Sequence, residues 1–146
     1  MTADATRTPF ADARVERNRA MLRVRDAIDV RHAEPLDLAA LAALVHVTPE
    51  HLIRTFRTVF GETPYRYLQR RRVERAMTLL DTTDLPVTEV CLAVGFTSLG
   101  SFSRTFARVV GVPPTEHRAR PRRPPAAVPG CVVRSWSRPS EHARGA

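Results

Sequence analysis

The stretch LIRTFRTVFGETP at residues 52–64 returns fifty residues later as FSRTFARVVGVPP at residues 102–114. Arg54-Thr55-Phe56 falls on Arg104-Thr105-Phe106, Leu52 on Phe102, Val59 on Val109, Gly61 on Gly111 and Pro64 on Pro114. Apolar residues at three- and four-residue steps describe an amphipathic helix. The closing glycine marks a left-handed C-cap, and the proline beyond it opens another helix. Upstream of each copy the match continues at an offset of forty-nine: Leu38 with Val87, Leu41 with Val90, Val45 with Val94, His46 with Gly95. The one-residue slip falls in the turn, where an added residue costs little. Each copy is a short helix, a tight turn and a longer helix. That is the helix-turn-helix layout, whose second helix enters the major groove. One unit alone is a weak signal. Two with matched apolar positions and matched arginines are a strong one; an all-α duplication used for protein contacts is the competing reading.

Around this repeat the pattern stays helical. Met21, Val24, Ile28 and Arg31 recur along a first helix from about Ala13 to His32, and Pro35 bars its extension. Asp37 is the expected N-cap of a short second helix, Leu38 to Val45. Thr48, with Pro49 behind it, caps a third whose buried face is Leu52, Phe56, Val59 and Phe60. Thr63-Pro64 starts a fourth helix running to about Leu80. Its apolar face is Leu68, Val73, Ala76, Met77 and Leu80, and its polar face Gln69, Arg70, Arg71 and Arg75. After a turn from Asp81 to Pro86 come a fifth helix, Val87 to Val94, and a sixth from the Ser98 cap to Val110. In the sixth, Phe102, Phe106, Val109 and Val110 face inward, and a last helical turn lies near His117. No stretch alternates with period two, so the class is all-α. The expected organisation is a mobile leader (1–14), a tandem helix-turn-helix domain (15–120) and a disordered Arg/Pro-rich tail (121–146). Within the domain, lobe one is about 15–62, the linker helix 63–80 and lobe two 81–120.

All 23 basic residues are arginine, and the formal charge is +8. Arginine forks onto phosphate and guanine, which suits nucleic acid, although a GC-rich genome gives the same bias. Residues 48–75 hold seven Arg against Glu50, Glu62 and Glu74, a net of +4; residues 112–146 hold seven against Glu116 and Glu141, a net of +5. No apolar run is long enough to span a bilayer. The first ten residues have no secretory pattern, so a cytoplasmic, nucleoid-associated protein is expected. Cys91 and Cys131 with five histidines offer neither metal nor nucleophile–base spacing. No enzyme, catalytic residue, metal site or cofactor is expected, and Cys91 is a core residue.

From about Met21 to Arg118 the chain resembles the DNA-binding domain of the AraC/XylS family. The resemblance is carried by Glu34-Pro35-Leu36, Leu41-Ala42, Thr48-Pro49, Leu52, Arg54, Phe56, Gly61, Pro64, Tyr67-Leu68, Arg72-Val73-Glu74-Arg75-Ala76 and Leu79-Leu80. In the second half it is carried by Val94-Gly95-Phe96, Phe102-Ser103-Arg104-Thr105-Phe106, Gly111 and Pro113-Pro114. It implies a seven-helix bilobal fold with a long linker helix, bacterial origin, and transcriptional control at promoters, usually activation through contact with RNA polymerase. Two departures stand out. The family usually has glycine where this chain has His46, and Gly100 inside the second recognition helix costs about 1 kcal/mol against alanine. Family members usually carry an effector-sensing domain; with thirty-odd residues before the first short helix, no small-molecule effector domain is expected here. A single chain would supply both recognition helices, so binding as a monomer to double-stranded DNA is expected.

With Leu52 and Phe56 turned inward, Glu50, Ile53, Arg54 and Arg57 lie on the opposite side of the third helix. Arg54 can fork a guanine, Ile53 can pack on a thymine methyl, and Glu50 can accept from cytosine or repel wrong sites. Gly100, Ser101, Ser103 and Arg104 occupy the matching face of the sixth helix, with Arg108 one turn on. Thr48 and Ser98 either bond phosphate or only cap their helices. Arg72 is expected inside the bundle beside a carboxylate. Arg66, Arg70, Arg71 and Arg75 are expected to be phosphate-steering or solvated charges.

Overall fold

The computed structural model describes residues 8–121. Seven helices follow in order: α1 (Pro9–Val30), α2 (Leu38–Leu44), α3 (Pro49–Phe60), α4 (Pro64–Thr82), α5 (Val87–Ala93), α6 (Leu99–Val110) and α7 (Pro114–Ala119). The described residues contain no strand, and the fold is the all-α, bilobal one expected. Helix ends form where capping chemistry puts them. The side chains of Asp37, Thr48, Thr63 and Ser98 accept from the backbone N–H of Ala40, His51, Arg66 and Ser101. Each such cap stabilises by about 1 kcal/mol. Gly61 and Gly111 close α3 and α6 with φ of 78° and 97°.

Two separate cores hang on α4. Met21, Val24, Ile28, Leu41, Ala42, Leu52 and Phe56 pack with Tyr67 and Leu68 from its first half. Val73, Ala76, Met77 and Leu80 from its second half pack with Val90, Cys91, Val94, Phe96, Phe102 and Phe106. The repeat reaches further than the helix-turn-helix units. Tyr67 of α4 donates its hydroxyl to the Asp29 carboxylate of α1 at 2.9 Å and meets Phe56 edge-on, centroids 5.7 Å apart. Fifty residues on, His117 Nε2 lies 2.9 Å from Asp81 Oδ1, and its ring meets Phe106 edge-on at 5.5 Å. Each lobe is therefore a four-helix unit, and α4 closes the first while opening the second.

Several expectations need correction. Helix α1 begins at Pro9, so residues 9–14 of the expected leader are helical. Residues 1–7 and the tail from 122, with Cys131 and Trp136, lie outside the described residues. Arg31 is exposed, not part of the apolar face of α1. Val109 is 41% exposed, because in this turn of the helix it is Val110 that faces the second core. Gln69 and Arg71, expected on the polar face of α4, are buried, since this helix is enclosed by both lobes and has a narrow solvent face.

Candidate nucleic-acid interface

The second helix of each unit presents the same cross-section. Leu52, Thr55 and Phe56 are buried on α3, and Phe102, Thr105 and Phe106 on α6. That register turns Glu50, Arg54 and Arg57 out on α3, and Gly100, Arg104 and Arg108 out on α6. Ile53, Ser101 and Ser103 are half-buried at the edges of these faces. Thr48 and Ser98 are exposed, and their oxygens hold the N-terminal caps of the two helices, at 3.2 and 3.3 Å. The capping reading is thus satisfied, while each hydroxyl proton stays available to an acceptor.

The arginines fall into two sets. Arg54, Arg57, Arg66, Arg104 and Arg108 are exposed and form no ion pair with any described residue. Those on the middle of α4 are committed inward. Arg70 bridges Glu62 (2.6 Å) and Glu74 (2.7 Å), and Arg71 pairs with Asp29 (2.9 Å) and Glu74. Burial works against both charges, but these carboxylates outweigh it and hold the guanidinium pKa above its ordinary value. Arg70 and Arg71 are therefore structural, not solvated steering charges. Arg75 is exposed and lies 3.5 Å from the Asp29 carbonyl.

Arg72 is buried as expected but has no carboxylate. Its Nε donates to the His32 carbonyl at 2.6 Å and its Nη2 to the Glu34 carbonyl at 2.7 Å. Burial pushes its pKa down, against a smaller contribution from Tyr65. The negative end of the α1 dipole and two carbonyls take the place of the acid.

The two turns leading into α3 and α6 are built alike. Val47 N–H reaches back to Ala42 and His46 N–H to Ala43; Phe96 reaches Cys91 and Gly95 reaches Leu92. Both are Schellman closures with one left-handed residue, His46 at φ 58° and Gly95 at φ 101°. The histidine in the first turn keeps the geometry glycine would give, at a backbone cost of about 1–2 kcal/mol.

Sequence reasoning passed over His51, exposed on α3 with Nε2 3.3 Å from Thr55 Oγ1. It occupies the position that Ser101 holds on α6, so the repeat itself contained the signal. Leu99, exposed at the start of α6, was also missed. Among the described residues no helix is long and apolar enough to cross a membrane, and no His, Cys, Asp or Glu cluster has metal-site geometry.

Comparison with known proteins places this arrangement. The helix-turn-helix domain family matches residues 41–120, more than half of the chain. The HTH-type transcriptional regulator CdhR of Pseudomonas aeruginosa is 38% identical over 114 residues, covering 77% of this chain and 34% of that protein. The chain spans about a third or less of the length of three curated relatives it matches. The DNA-binding domain of AdpA, a global transcriptional factor solved in complex with a target DNA, superposes with a TM-score of 0.64 at 31% identity. That match covers 68% of this chain and 90% of the AdpA one. An AraC-type transcriptional regulator from Chromobacterium violaceum gives 0.64 at 29% identity, covering 71% and 96%. The fold and the relatives are those of a DNA-binding regulatory domain, not of a catalytic one. From the twin helix-turn-helix units, their shared linker helix and these matches, the chain belongs to the AraC/XylS family of bacterial helix-turn-helix transcriptional regulators.

Proposed function

We propose that residues 15–120 bind double-stranded DNA sequence-specifically as a monomer, with α3 and α6 in successive major grooves on one face of the duplex. Lobe one (about 15–62) and lobe two (81–120) each contribute one helix, and the linker (63–80) separates them. At 1.5 Å per residue the nineteen residues of α4 span about 28 Å, near the 34 Å of one DNA turn. The observation that carries the reading is the unpartnered, exposed arginine at the equivalent position of two like helices, Arg54 on α3 and Arg104 on α6, each followed by a second exposed arginine at a non-equivalent position, Arg57 and Arg108.

The bases are read by Arg54, Ile53 and Glu50 on α3, and by Gly100, Ser101, Ser103 and Arg104 on α6. Arg57, Arg108, Thr48 and Ser98 hold phosphates. Lobe two, with Gly100 and two serines where lobe one has longer side chains, discriminates less. Regulation is activating, through contact with RNA polymerase, as the family resemblance implies. Selection of bound fragments from random duplexes tests this. An asymmetric, gapped motif spanning about two helical turns is expected. Retention of all duplexes alike would leave only charge-driven coating.

A further inference from the structure

We propose that Arg72 is the positioning residue that sets the pose of the second recognition helix relative to the first, by pinning the turn before α6 to the segment after α1. The proposal rests on the two-groove reading above and names what holds the two helices in register.

The two lobes share α4, but a shared rod leaves each lobe located at one place only. A second, off-axis contact is needed to stop one swivelling about the rod against the other. That contact is Ala33–Gly95–Arg72. The Arg72 fork holds the His32 and Glu34 carbonyls of lobe one. The same guanidinium lies 5.7 Å from the ring centroid of Phe96, a core residue of lobe two. A Cβ on Gly95 would sit 2.9 Å from Ala33 Cα, 3.0 Å from its carbonyl oxygen and 3.0 Å from Arg72 Nε. Two backbones and one guanidinium therefore meet with no room for a methyl group.

The asymmetry between the two turns points the same way. Both need a left-handed residue, yet the first has His46, whose side chain is exposed, while the second has glycine. The φ of 58° at His46 is one an L residue can adopt, whereas the 101° at Gly95 is not, so glycine there answers both its own backbone and the close approach to lobe one. Arg72 also lacks a carboxylate partner, unlike Arg70 and Arg71. A planar fork that satisfies two carbonyls while its face covers an aromatic ring is a task lysine cannot perform. Gly95-Phe96 leads through Thr97 to the Ser98 cap, so any shift at the joint carries α6 with it.

The test compares the full chain with Arg72→Met and Arg72→Lys on four duplexes. These are the site selected from random sequence, that site with one base pair inserted between its halves, and the site with either half scrambled. One inserted pair rotates the second half-site by about 35° and moves it about 3.4 Å. The unaltered chain should lose about tenfold or more on the insertion. Arg72→Met should bind each half alone within about twofold of the unaltered chain, lose most of the advantage of the paired site, and show an insertion penalty of about threefold or less. Arg72→Lys should fall between, and it carries the comparison if Arg72→Met does not fold. A folded variant that keeps the full insertion penalty overturns the positioning role. An unaltered chain indifferent to the insertion overturns instead the two-groove reading on which it rests.

Discussion

The guanidinium of Arg72 lies over the ring of Phe96, its Cζ 5.7 Å from the ring centroid, so a side chain of the linker helix spans from the carbonyls of one lobe to the core of the other. Phe96 also meets Phe102 of α6 at 5.2 Å. Phe96→Leu keeps an apolar side chain but removes the negatively charged ring face that receives the cation. Urea unfolding should show a loss of about 1–2 kcal/mol. No loss would mean that the ring face adds nothing to the contact with Arg72.

The two left-handed turns should respond oppositely to substitution. His46→Gly relieves backbone strain at an exposed position and should stabilise by about 0.5–1 kcal/mol, net of the added freedom of the unfolded chain. Gly95→Ala adds a methyl group against Ala33 and Arg72 at positive φ, and should cost at least about 2 kcal/mol. Thermal midpoints of the two variants decide it.

Arg71 should behave as a structural residue. Arg71→Met leaves Asp29 with the Tyr67 hydroxyl but no cation, while Glu74 keeps Arg70, which should cost about 3 kcal/mol. At a temperature where the variant is folded, its DNA affinity should match that of the unaltered chain in a fluorescence titration. Arg66→Ala should do the reverse, weakening all duplexes modestly with the fold intact.

Arg54→Ala should cost about 1–3 kcal/mol of affinity and relax preference at one base pair, whereas Arg57→Ala should weaken all sequences alike and reduce the salt slope by about 1. Arg104→Ala should cost less discrimination than Arg54→Ala, because Gly100, Ser101 and Ser103 give it less support. Repeating the selection with each variant reads this out.

His32 introduces a pH dependence. Burial, then the charges of Arg75, Arg71 and Arg72, lower its pKa from 6.5, and the Asp29 carbonyl beside its Nδ1 opposes them in part. A depressed folded-state pKa means that the unfolded chain takes up the proton first. Its contribution is complete above pH 6.5 and is lost as pH falls below that value. Urea midpoints at pH 7.5 and 5.5 should therefore differ more for the unaltered chain than for His32→Gln.

What the sequence alone determined was most of what is local or periodic, the start of α1 and the faces of Arg31 and Val109 excepted. The helices follow from apolar spacing, their ends from Asp37, Thr48, Thr63, Ser98, Gly61 and Gly111, and the twin units from offsets of forty-nine and fifty. The outward positions of Arg54, Arg57, Arg104 and Arg108 follow from where Leu52, Phe56, Phe102 and Phe106 must point, because a helix face is fixed by its own period. Only the tertiary structure decided what meets across distance. It sorted the arginines of α4 into buried and free, set Tyr67 on Asp29 and His117 on Asp81, and gave Arg72 carbonyls where a carboxylate was expected. It also showed that Gly95 serves the contact between lobes as well as its own turn. A guanidinium has the same helical periodicity whether it meets water, an acid or a backbone carbonyl; the identity of that partner depends on chain segments some forty residues away.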